Sequence, residues 1–331
     1  MKNIWISKKK PLLVLAPMAG YTDSAFRMLC REYGADITMT ELISADAIAY
    51  GKLKVHKVDK VHKVEGKNQN TAELLNFDDR EKPLVVQLFG KYPEKFALAA
   101  KWITEELKPD GIDINMGCPA RKVVGSDHGA ALLKDHDLAV KIVKAVKENT
   151  NLPVSVKTRL GWERDDEILE FAPKLIEAGV DALIIHGRTY KDGFKNVSRW
   201  ENIYKIKDLS LKIKDKIAII GNGDIHSYEE AIEKSKSGDI QLDGVAIGRA
   251  SFGCPEIFSP KKLSAISYQL PGLILRHATL NYETKGEHGI IEFRKHLLSY
   301  LKGFAGAKEL RVQAVKIKTL EDVVSILKNI Q

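Results

Sequence analysis

The stretch at residues 113–119 reads DINMGCP, and it joins a predicted buried strand to a loop. Residues 111–115 have the length and apolar content of a short strand, and residues 117–128 follow as a loop. Gly117 permits close backbone approach, and Pro119 has a fixed φ and no N–H, so Cys118 is held on a constrained loop. Most free cysteines pack as small buried hydrophobes, so position alone leaves open whether Cys118 is reactive or structural.

Strand signals on both sides of this stretch alternate with helix signals. Short apolar runs predict eight strands, at Leu12–Ala16, Ile37–Glu41, Pro83–Phe89, 111–115, Pro153–Lys157, Asp181–His186, Ile217–Ile220 and Asp243–Ile247. Helices are predicted from Thr22 or Asp23, from Pro93, near 130–147, near 165–178 and from the capping box at Ser227. Eight strands separated by helices are typical of a (β/α)8 TIM barrel, although a doubly wound sheet shows the same alternation.

Polar or otherwise distinctive residues follow the predicted strands in phase. They are Met18, Glu41, Gln87, Asn115, Lys157, His186, Asn222 and Arg249, each at or just beyond the carboxyl end of a different strand. A barrel gathers these ends into one ring, where barrel active sites lie, whereas an open sheet spreads them along a line. The pattern therefore favours the barrel and predicts a site at its carboxyl-terminal face.

The pattern changes after residue 259. Helices are predicted at 265–284, 287–303, 307–314 and 319–330, so the chain divides into a barrel, 1–259, and a helical domain, 260–331. The whole chain carries a formal charge of +8, and residues 260–331 carry twelve Lys or Arg against six Asp or Glu. This asymmetry indicates a polyanionic partner, with ordinary solvated lysine as the alternative.

Composition bounds the cellular setting. The three cysteines, Cys30, Cys118 and Cys254, are widely spaced and odd in number, which fits neither a disulfide framework nor a metal cluster and favours a reducing cytosol. Cys30 falls on the apolar face of the first helix and is expected in the core. The apolar run Leu12–Ala19 is too short for a membrane span and is interrupted by Pro17. No membrane and no metal are expected, and the protein is expected to be a cytoplasmic monomer.

The segment 52–67 carries six lysines against two acids and has little helical or strand consistency. It is interpreted as a charged surface excursion, with an RNA-contacting arm as the alternative.

Glycines follow the last two predicted strands, in the stretches 221–224 (GNGD) and 248–249 (GR). Glycines let backbone N–H groups approach a phosphate, and in barrels this position is a common phosphate site. No G-x-G-x-x-G opens the first helix, which argues against a tightly held dinucleotide. Lys157 and His186 could contact a flavin, with a structural ion pair and a satisfied core histidine as the alternatives.

Nine segments form a specific combination along the chain: 16–27 (APMAGYTDSAFR), 87–90 (QLFG), 113–123 (DINMGCPARKV), 156–161 (VKTRLG), 186–189 (HGRT), 221–225 (GNGDI), 247–249 (IGR), 294–303 (RKHLLSYLKG) and 306–311 (GAKELR). Through these segments the sequence resembles the tRNA-dihydrouridine synthase family nearly from end to end. The resemblance implies FMN-dependent reduction of the uridine C5–C6 bond in tRNA, with NADPH or NADH as the electron source.

The resemblance also implies roles for residues. Pro17, Met18 and Ala19 would line the flavin ring; Gln87, Lys157 and His186 would contact its polar edge; Asn222, Gly223, Asp224, Gly248 and Arg249 would hold the ribityl phosphate. Asn115 and Arg188 would face the uracil, and Cys118 would be the proton donor; Arg294, Lys295 and Lys302 would contact RNA. A free thiol has an unperturbed pKa of about 8.5, so it is mostly protonated at neutral pH and can act as a general acid.

Two stretches depart from the family pattern. Where the family usually has Gln, an aromatic, Gly and Ala, this chain has Asp192, Phe194, Asn196 and Ser198, and it retains the following Trp200. The connection 42–86 is also longer than usual. Both departures concern which uridine is modified rather than the chemistry.

Two other functions stay open at this stage: a small-molecule FMN oxidoreductase on the same barrel, of the dihydropyrimidine or enoate type, and a non-catalytic RNA binder.

Overall fold

Eight parallel strands form a ring in the computed structural model, which describes residues 3–6, 10–213, 217–260 and 270–330. They are β1 (Leu12–Leu15), β2 (Thr38–Met39), β3 (Leu84–Phe89), β4 (Gly111–Met116), β5 (Val154–Arg159), β6 (Ala182–His186), β7 (Ala218–Asn222) and β8 (Gly244–Ile247). β1 pairs with β8 in parallel, and a parallel bridge from Val14 to Ile37 joins β1 to the start of β2. Because the first strand contacts both the last and the second, the ring closes. The predicted (β/α)8 barrel is confirmed, and the doubly wound alternative is wrong.

Nine α-helices accompany the strands over the described part of residues 10–260. They are α1 (Ser24–Glu32), α2 (Ala45–Tyr50), α3 (Gln69–Leu75), α4 (Pro93–Trp102), α5 (Arg121–Val124), α6 (His136–Glu148), α7 (Glu167–Glu177), α8 (Glu201–Ile213) and α9 (Tyr228–Lys234). The Asp23 carboxylate, not Thr22, caps α1. Cys30 lies in the core as predicted. The helix predicted near 130 is a 3-10 turn over Gly129–Lys134 followed by α6, because Asp135 accepts a hydrogen bond from the Leu138 N–H and starts a new helix there.

The connection from β2 to β3 contains a regular antiparallel hairpin where the sequence shows no consistent pattern. Its strands are Lys54–Val58 and Val61–Glu65, and Asp59 at the turn has a φ of 52°. One face is anchored by His62 and Val64, both buried, while the lysines of the segment stay exposed. The segment 52–67 is therefore a charged surface segment, as one interpretation expects, and it forms a regular hairpin. Its contact with RNA stays a prediction.

Three further helices follow in the described residues after 269. They are α10 (Leu270–Tyr300), α11 (Ala307–Ala314) and α12 (Leu320–Leu327). The backbone of α10 breaks at Gly286 (φ 59°, ψ −143°), which separates the two predicted helices at that point. Residues 265–269 of the first predicted helix, with Lys261 and Lys262, lie outside the described residues. The boundary at 259/260 stays a prediction.

Helices α10–α12 share a hydrophobic core with α1 of the barrel. Ala25, Met28 and Leu29 of α1 pack in one buried cluster with Phe293 and Leu297 of α10. The described C-terminal helices are thus built onto the barrel wall rather than tethered beside it.

A buried polar cluster crosses the same contact, and we call Asp23, His277, Lys295, His296 and Tyr300 the interlock. The Asp23 carboxylate accepts from Lys295 Nζ at 3.1 Å and lies 3.2 Å from His296 Nε2. His277 Nδ1 lies 3.0 Å from the Tyr300 hydroxyl. Burial is the largest single effect on the Asp23 carboxyl and acts to raise its pKa. The hydrogen bond and charge of His296, together with the charge of Lys295, outweigh burial and hold the pKa of Asp23 well below its usual range.

No helix in the described residues combines the length and the apolar content that a membrane crossing requires.

Candidate active site at the barrel mouth

A cavity of about 580 Å³ opens at the carboxyl ends of the barrel strands. Every residue predicted to bind the cofactor lines it, namely Pro17, Met18, Ala19, Gln87, Lys157, His186, Asn222, Gly223, Asp224, Gly248 and Arg249. Asn115, Cys118 and Arg188 line the same cavity. Of the residues predicted to follow strands in phase, Glu41 is not on the lining: its carboxylate accepts a hydrogen bond from the Gly20 N–H and so ties the β1 and β2 loops together.

Cys118 sits on the loop after β4, as its position before Pro119 predicts. Its N–H donates to Asn115 Oδ1 at 3.0 Å, and its carbonyl accepts from the Ala130 N–H at 3.1 Å. Gly129 contacts this loop so closely, with a φ of +60°, that a Cβ there would lie 3.0 Å from the Cys118 carbonyl oxygen. The thiol is half-buried and borders the cavity.

Two cationic side chains from β5 extend into the floor of the cavity. Lys157 Nζ donates to Asn222 Oδ1 at 3.0 Å, and Asn222 is oriented by its own hydrogen bond to the Ala246 carbonyl at 2.7 Å. Burial and the Arg159 guanidinium lower the pKa of Lys157 to about 8, so its ammonium is still mostly charged at neutral pH. Arg159 holds the carbonyls of Gly117 and Thr189 at 2.8 and 2.9 Å.

His186 is the neutral member of this group. Burial, followed by the nearby charges of Lys157, Arg159 and Arg188, holds the pKa of His186 well below its usual range. An imidazole in this state accepts a hydrogen bond through one nitrogen and donates through the other. The cavity floor therefore offers one neutral imidazole among several fixed cations.

The glycine turns after β7 and β8 form a cradle on one side of the cavity. Gly223 has a φ of +122°, and a Cβ there would clash with Ser198 Oγ at 2.3 Å and His186 Cδ2 at 2.8 Å. Among the described residues, no backbone carbonyl accepts a hydrogen bond from the N–H groups of Gly223, Asp224, Gly248 or Arg249. The Arg249 side chain is exposed and lies 4.6 Å above the centre of the Phe194 ring. Unpaired N–H groups beside a cation suit a phosphate.

Arg188 and Asp224 were assigned separately, to the uracil and to the phosphate, and the structure brings them together. Arg188 Nη2 donates to both carboxylate oxygens of Asp224, at 2.8 and 2.7 Å. The same carboxylate accepts from the Ser198 N–H at 2.8 Å. Its negative charge is neutralised by Arg188, so at a phosphate site Asp224 can contribute its backbone N–H rather than its carboxylate.

The three residues predicted to contact RNA lie away from the cavity and differ among themselves. Arg294 donates to the Ile317 carbonyl at 2.9 Å, which links α10 to the chain before α12. Lys295 belongs to the interlock. Lys302 is exposed. Of the three, Lys302 is the side chain placed to contact a large polyanion, and its role stays a prediction.

The loop that departs from the family pattern is held by its own side chains. Asp192 accepts from the N–H and the hydroxyl of Thr189, at 2.8 and 2.9 Å, and from Arg199 at 2.6 Å. Phe194 is about half exposed at the cavity wall. Sequence reasoning gave no role to Arg159, although its position two residues after Lys157 on one strand face could have indicated one.

A closed parallel barrel with glycine turns and a ring of polar groups at its carboxyl-terminal mouth has the architecture of the TIM-barrel class, whose active sites lie at that face. A model of the family described as dihydrouridine synthase (Dus) matches residues 14–331. The chain belongs to the dihydrouridine synthase family, a family of oxidoreductases.

The curated relatives are similar over nearly the whole chain. A probable tRNA-dihydrouridine synthase from Aquifex aeolicus (strain VF5) is 33% identical over 96% of this chain and 95% of its own length. Another from Helicobacter pylori (strain 26695) is 34% identical over 98% of this chain and 92% of its own. The tRNA-dihydrouridine synthase B of Pseudomonas aeruginosa is 35% identical over 91% of this chain and 87% of its own length.

Solved structures confirm the fold at lower identity. Histamine dehydrogenase from Rhizobium sp. 4-9 aligns with a TM-score of 0.50 and 15% identity over 81% of this chain and 49% of that chain. A 2-naphthoyl-CoA reductase complex aligns with a TM-score of 0.51 and 12% identity over 77% of this chain and 50% of that chain. This chain spans about half the length of each.

Proposed function

We propose that the protein is an FMN-dependent tRNA-dihydrouridine synthase that reduces the C5–C6 bond of uridine in tRNA with NADPH or NADH. One observation carries the proposal: in a chain of the dihydrouridine synthase family, Cys118 borders the cavity that also holds the cationic floor and the glycine cradle.

The volume and the charge of the cavity support the assignment of flavin mononucleotide as the cofactor. About 580 Å³ is within the range of small-molecule sites. Gly223, Gly248 and Arg249 would hold the phosphate, because their N–H groups and the guanidinium lack backbone or ion-pair partners among the described residues. Pro17, Met18 and Ala19 would cover the ring face, with Gln87, Lys157 and His186 at its polar edge. A flavin held by these residues would supply the hydride chemistry that the reduction of uracil requires.

The remaining chemistry falls to side chains of this protein. Hydride addition at C6 leaves negative charge over C5 and the C4 carbonyl oxygen, and a proton must arrive at C5. Cys118 would donate that proton, and its loop is fixed by Asn115. Lys157 and Arg159 stabilise negative charge as it develops in the floor of the cavity, because a buried cation acts more strongly there than in water.

A uridine in folded tRNA must leave its stack to enter this cavity, which requires grip on the neighbouring phosphates. We assign that grip to the basic C-terminal domain, 260–331, with Lys302 as a contact, and the catalysis to 1–259. A tRNA substrate supports a cytoplasmic location, and we expect the protein to act as a monomer.

The test is to map dihydrouridine by mass spectrometry in RNA from cells with and without this gene. The proposal expects specific tRNA positions to lose dihydrouridine when the gene is deleted and to regain it with the wild-type gene. Unchanged dihydrouridine at every tRNA position would contradict it.

A further inference from the structure

Asp113 is a buried carboxyl residue beneath the cavity, and the mechanism above does not use it. It stands two residues before Asn115 on β4, on the same face of the strand and one layer deeper in the barrel. Its side chain is fully buried and does not line the cavity. Asp113 Oδ1 accepts from Ser155 Oγ at 2.6 Å, and Oδ2 accepts from Gln87 Nε2 at 2.8 Å.

The hydrogen bonds continue from Asp113 to the loop of Cys118. Gln87 Oε1 accepts from Asn115 Nδ2 at 3.1 Å, and Asn115 Oδ1 accepts from the Cys118 N–H at 3.0 Å. We call Asp113, Gln87, Asn115 and Cys118 the relay. At one end is a carboxylate oxygen that accepts, and at the other is a backbone N–H that can only donate. Each of the two amides between them is therefore held in a single orientation.

We propose that Asp113 is a positioning residue: through Gln87 it fixes the orientation of Asn115 and thereby the loop that presents Cys118. The expected effect on turnover rests on the proposed function, whereas the positioning of the Cys118 loop does not. Each amide nitrogen keeps one hydrogen outside the relay. Gln87 and Asn115 both line the cavity, so these remaining donors favour ligands with carbonyl oxygens, such as a flavin or uracil.

The relay does not depend on the ionisation of Asp113. Burial raises the pKa of Asp113 to about 7, although Ser155 and Gln87 act to lower it. When the carboxyl is protonated on Oδ1, the Ser155 hydroxyl can rotate so that its oxygen accepts a hydrogen bond from Oδ1–H, while Oδ2 still accepts from Gln87. By the same reasoning an asparagine can accept from Gln87 and donate to Ser155, whereas a leucine can do neither.

The test compares Asp113→Leu with Asp113→Asn in the full-length, flavin-loaded protein. The first readout is the rate at which iodoacetamide alkylates Cys118, mapped by peptide mass spectrometry, with Cys254 as an internal reference. Asp113→Leu should speed Cys118 alkylation by about fivefold, since a lost hydrogen bond loosens the loop. On tRNA, it should lower kcat by about 100-fold with KM changed by less than about twofold. Asp113→Asn should keep the alkylation rate of Cys118 close to that of the wild type and kcat within about fivefold of it.

A matched control separates positioning from general damage. Asp110→Leu removes a carboxylate that accepts from the Leu84 N–H at 2.9 Å, at the opposite end of β3. It should lower stability but leave Cys118 alkylation unchanged. If Asp113→Leu does not fold, Gln87→Leu breaks the relay one step later and should produce the same faster alkylation.

Unchanged Cys118 alkylation in a folded Asp113→Leu or Gln87→Leu protein would overturn the proposal, as would equal damage from Asn and Leu at 113. If the wild type reduces no uridine but the alkylation rates follow the expected order, the positioning role stands and the proposed function falls.

Discussion

The cavity floor and the interlock each place a buried histidine beside a lysine, yet the two clusters differ in charge balance and in open volume. In the interlock, the one carboxylate, Asp23, is matched by Lys295 and His296, and its side chains fill the space between α1 and α10. In the cavity, Lys157 and Arg159 exceed the available carboxylate, and about 580 Å³ lies open beside them.

The difference identifies which cluster is a site. Residue type and burial alone do not show which cluster is a functional site. The interlock residues Asp23, His277 and His296, for example, have the spacing of a possible metal site. Lys295 already pairs with the Asp23 carboxylate and so supplies the positive charge that this cluster requires. Unmatched charge facing open volume distinguishes the cavity, and the predictions that follow test that distinction, beginning with the largest effect.

The largest effect is expected at the thiol. Cys118→Ala should lower uridine reduction by about 10²- to 10⁴-fold, the usual range for loss of a general acid, with flavin content and tRNA affinity retained. Single-turnover measurement of dihydrouridine checks it. Full activity would show that the proton comes from elsewhere, and Cys254→Ala is the matched control.

Breaking the interlock should affect stability instead of chemistry. Asp23→Ala leaves the buried His296 and the partly buried Lys295 without their carboxylate and should cost about 3 kcal/mol of unfolding free energy. Urea unfolding measures it. Asp322→Ala, in the exposed capping box of α12, should cost less. A loss of flavin affinity with unchanged stability would contradict the structural role.

Arg249→Ala should weaken flavin binding by about 10- to 100-fold, the range for a hydrogen bond to a charged group. Flavin fluorescence titration of the apoprotein checks it. Arg294→Ala removes a guanidinium that holds the Ile317 carbonyl, and it should leave flavin affinity unchanged. Equal affinity in both variants would refute the assignment of the phosphate site.

The stability of the folded chain should fall as the pH drops. Burial holds the pKa of His277 well below its usual range, so the unfolded chain takes up the proton first. The stabilisation is complete above the unfolded value of about 6.5 and is lost as the pH falls toward the folded pKa, by about 1.4 kcal/mol per pH unit. His277→Phe should reduce that slope in urea unfolding curves measured across acidic pH. An unchanged slope would show that His277 is charged in the fold.

The smallest effect is expected on the surface. Lys302→Ala should weaken tRNA binding modestly and reduce the slope of log affinity against log salt by about 1. Lys295→Ala should lower stability without that change in slope. If both substitutions changed the slope equally, Lys295 would contact RNA as Lys302 does, and its assignment to the interlock alone would be wrong.

The sequence predicted the barrel and the lining of its cavity well, because both depend on local pattern. Each strand end is marked by a residue such as Gln87 or Asn222, and closure of the ring brings those ends together whatever the exact strand limits. The predicted strand Ile37–Glu41, for example, is only Thr38–Met39 in the structure. This error in the strand limits does not affect the prediction that Gln87 and Asn115, from the next two strands, line one cavity.

Pairings between distant residues could not be predicted in this way. Asp23 and His296 are 273 positions apart, and nothing local to either residue indicates the other. Arg188 and Asp224 received separate roles for the same reason. The hairpin at 52–67 was missed because the turn at Asp59 interrupts its alternation and lysines occupy its exposed face.

The most direct measurement is the dihydrouridine content of a tRNA transcript mixed with reduced, flavin-loaded protein, beside free uridine at the same concentration. The account predicts dihydrouridine in the transcript, little in the free nucleoside, and almost none in either with Cys118→Ala. Equal reduction of free uridine, or undiminished reduction by Cys118→Ala, would contradict it.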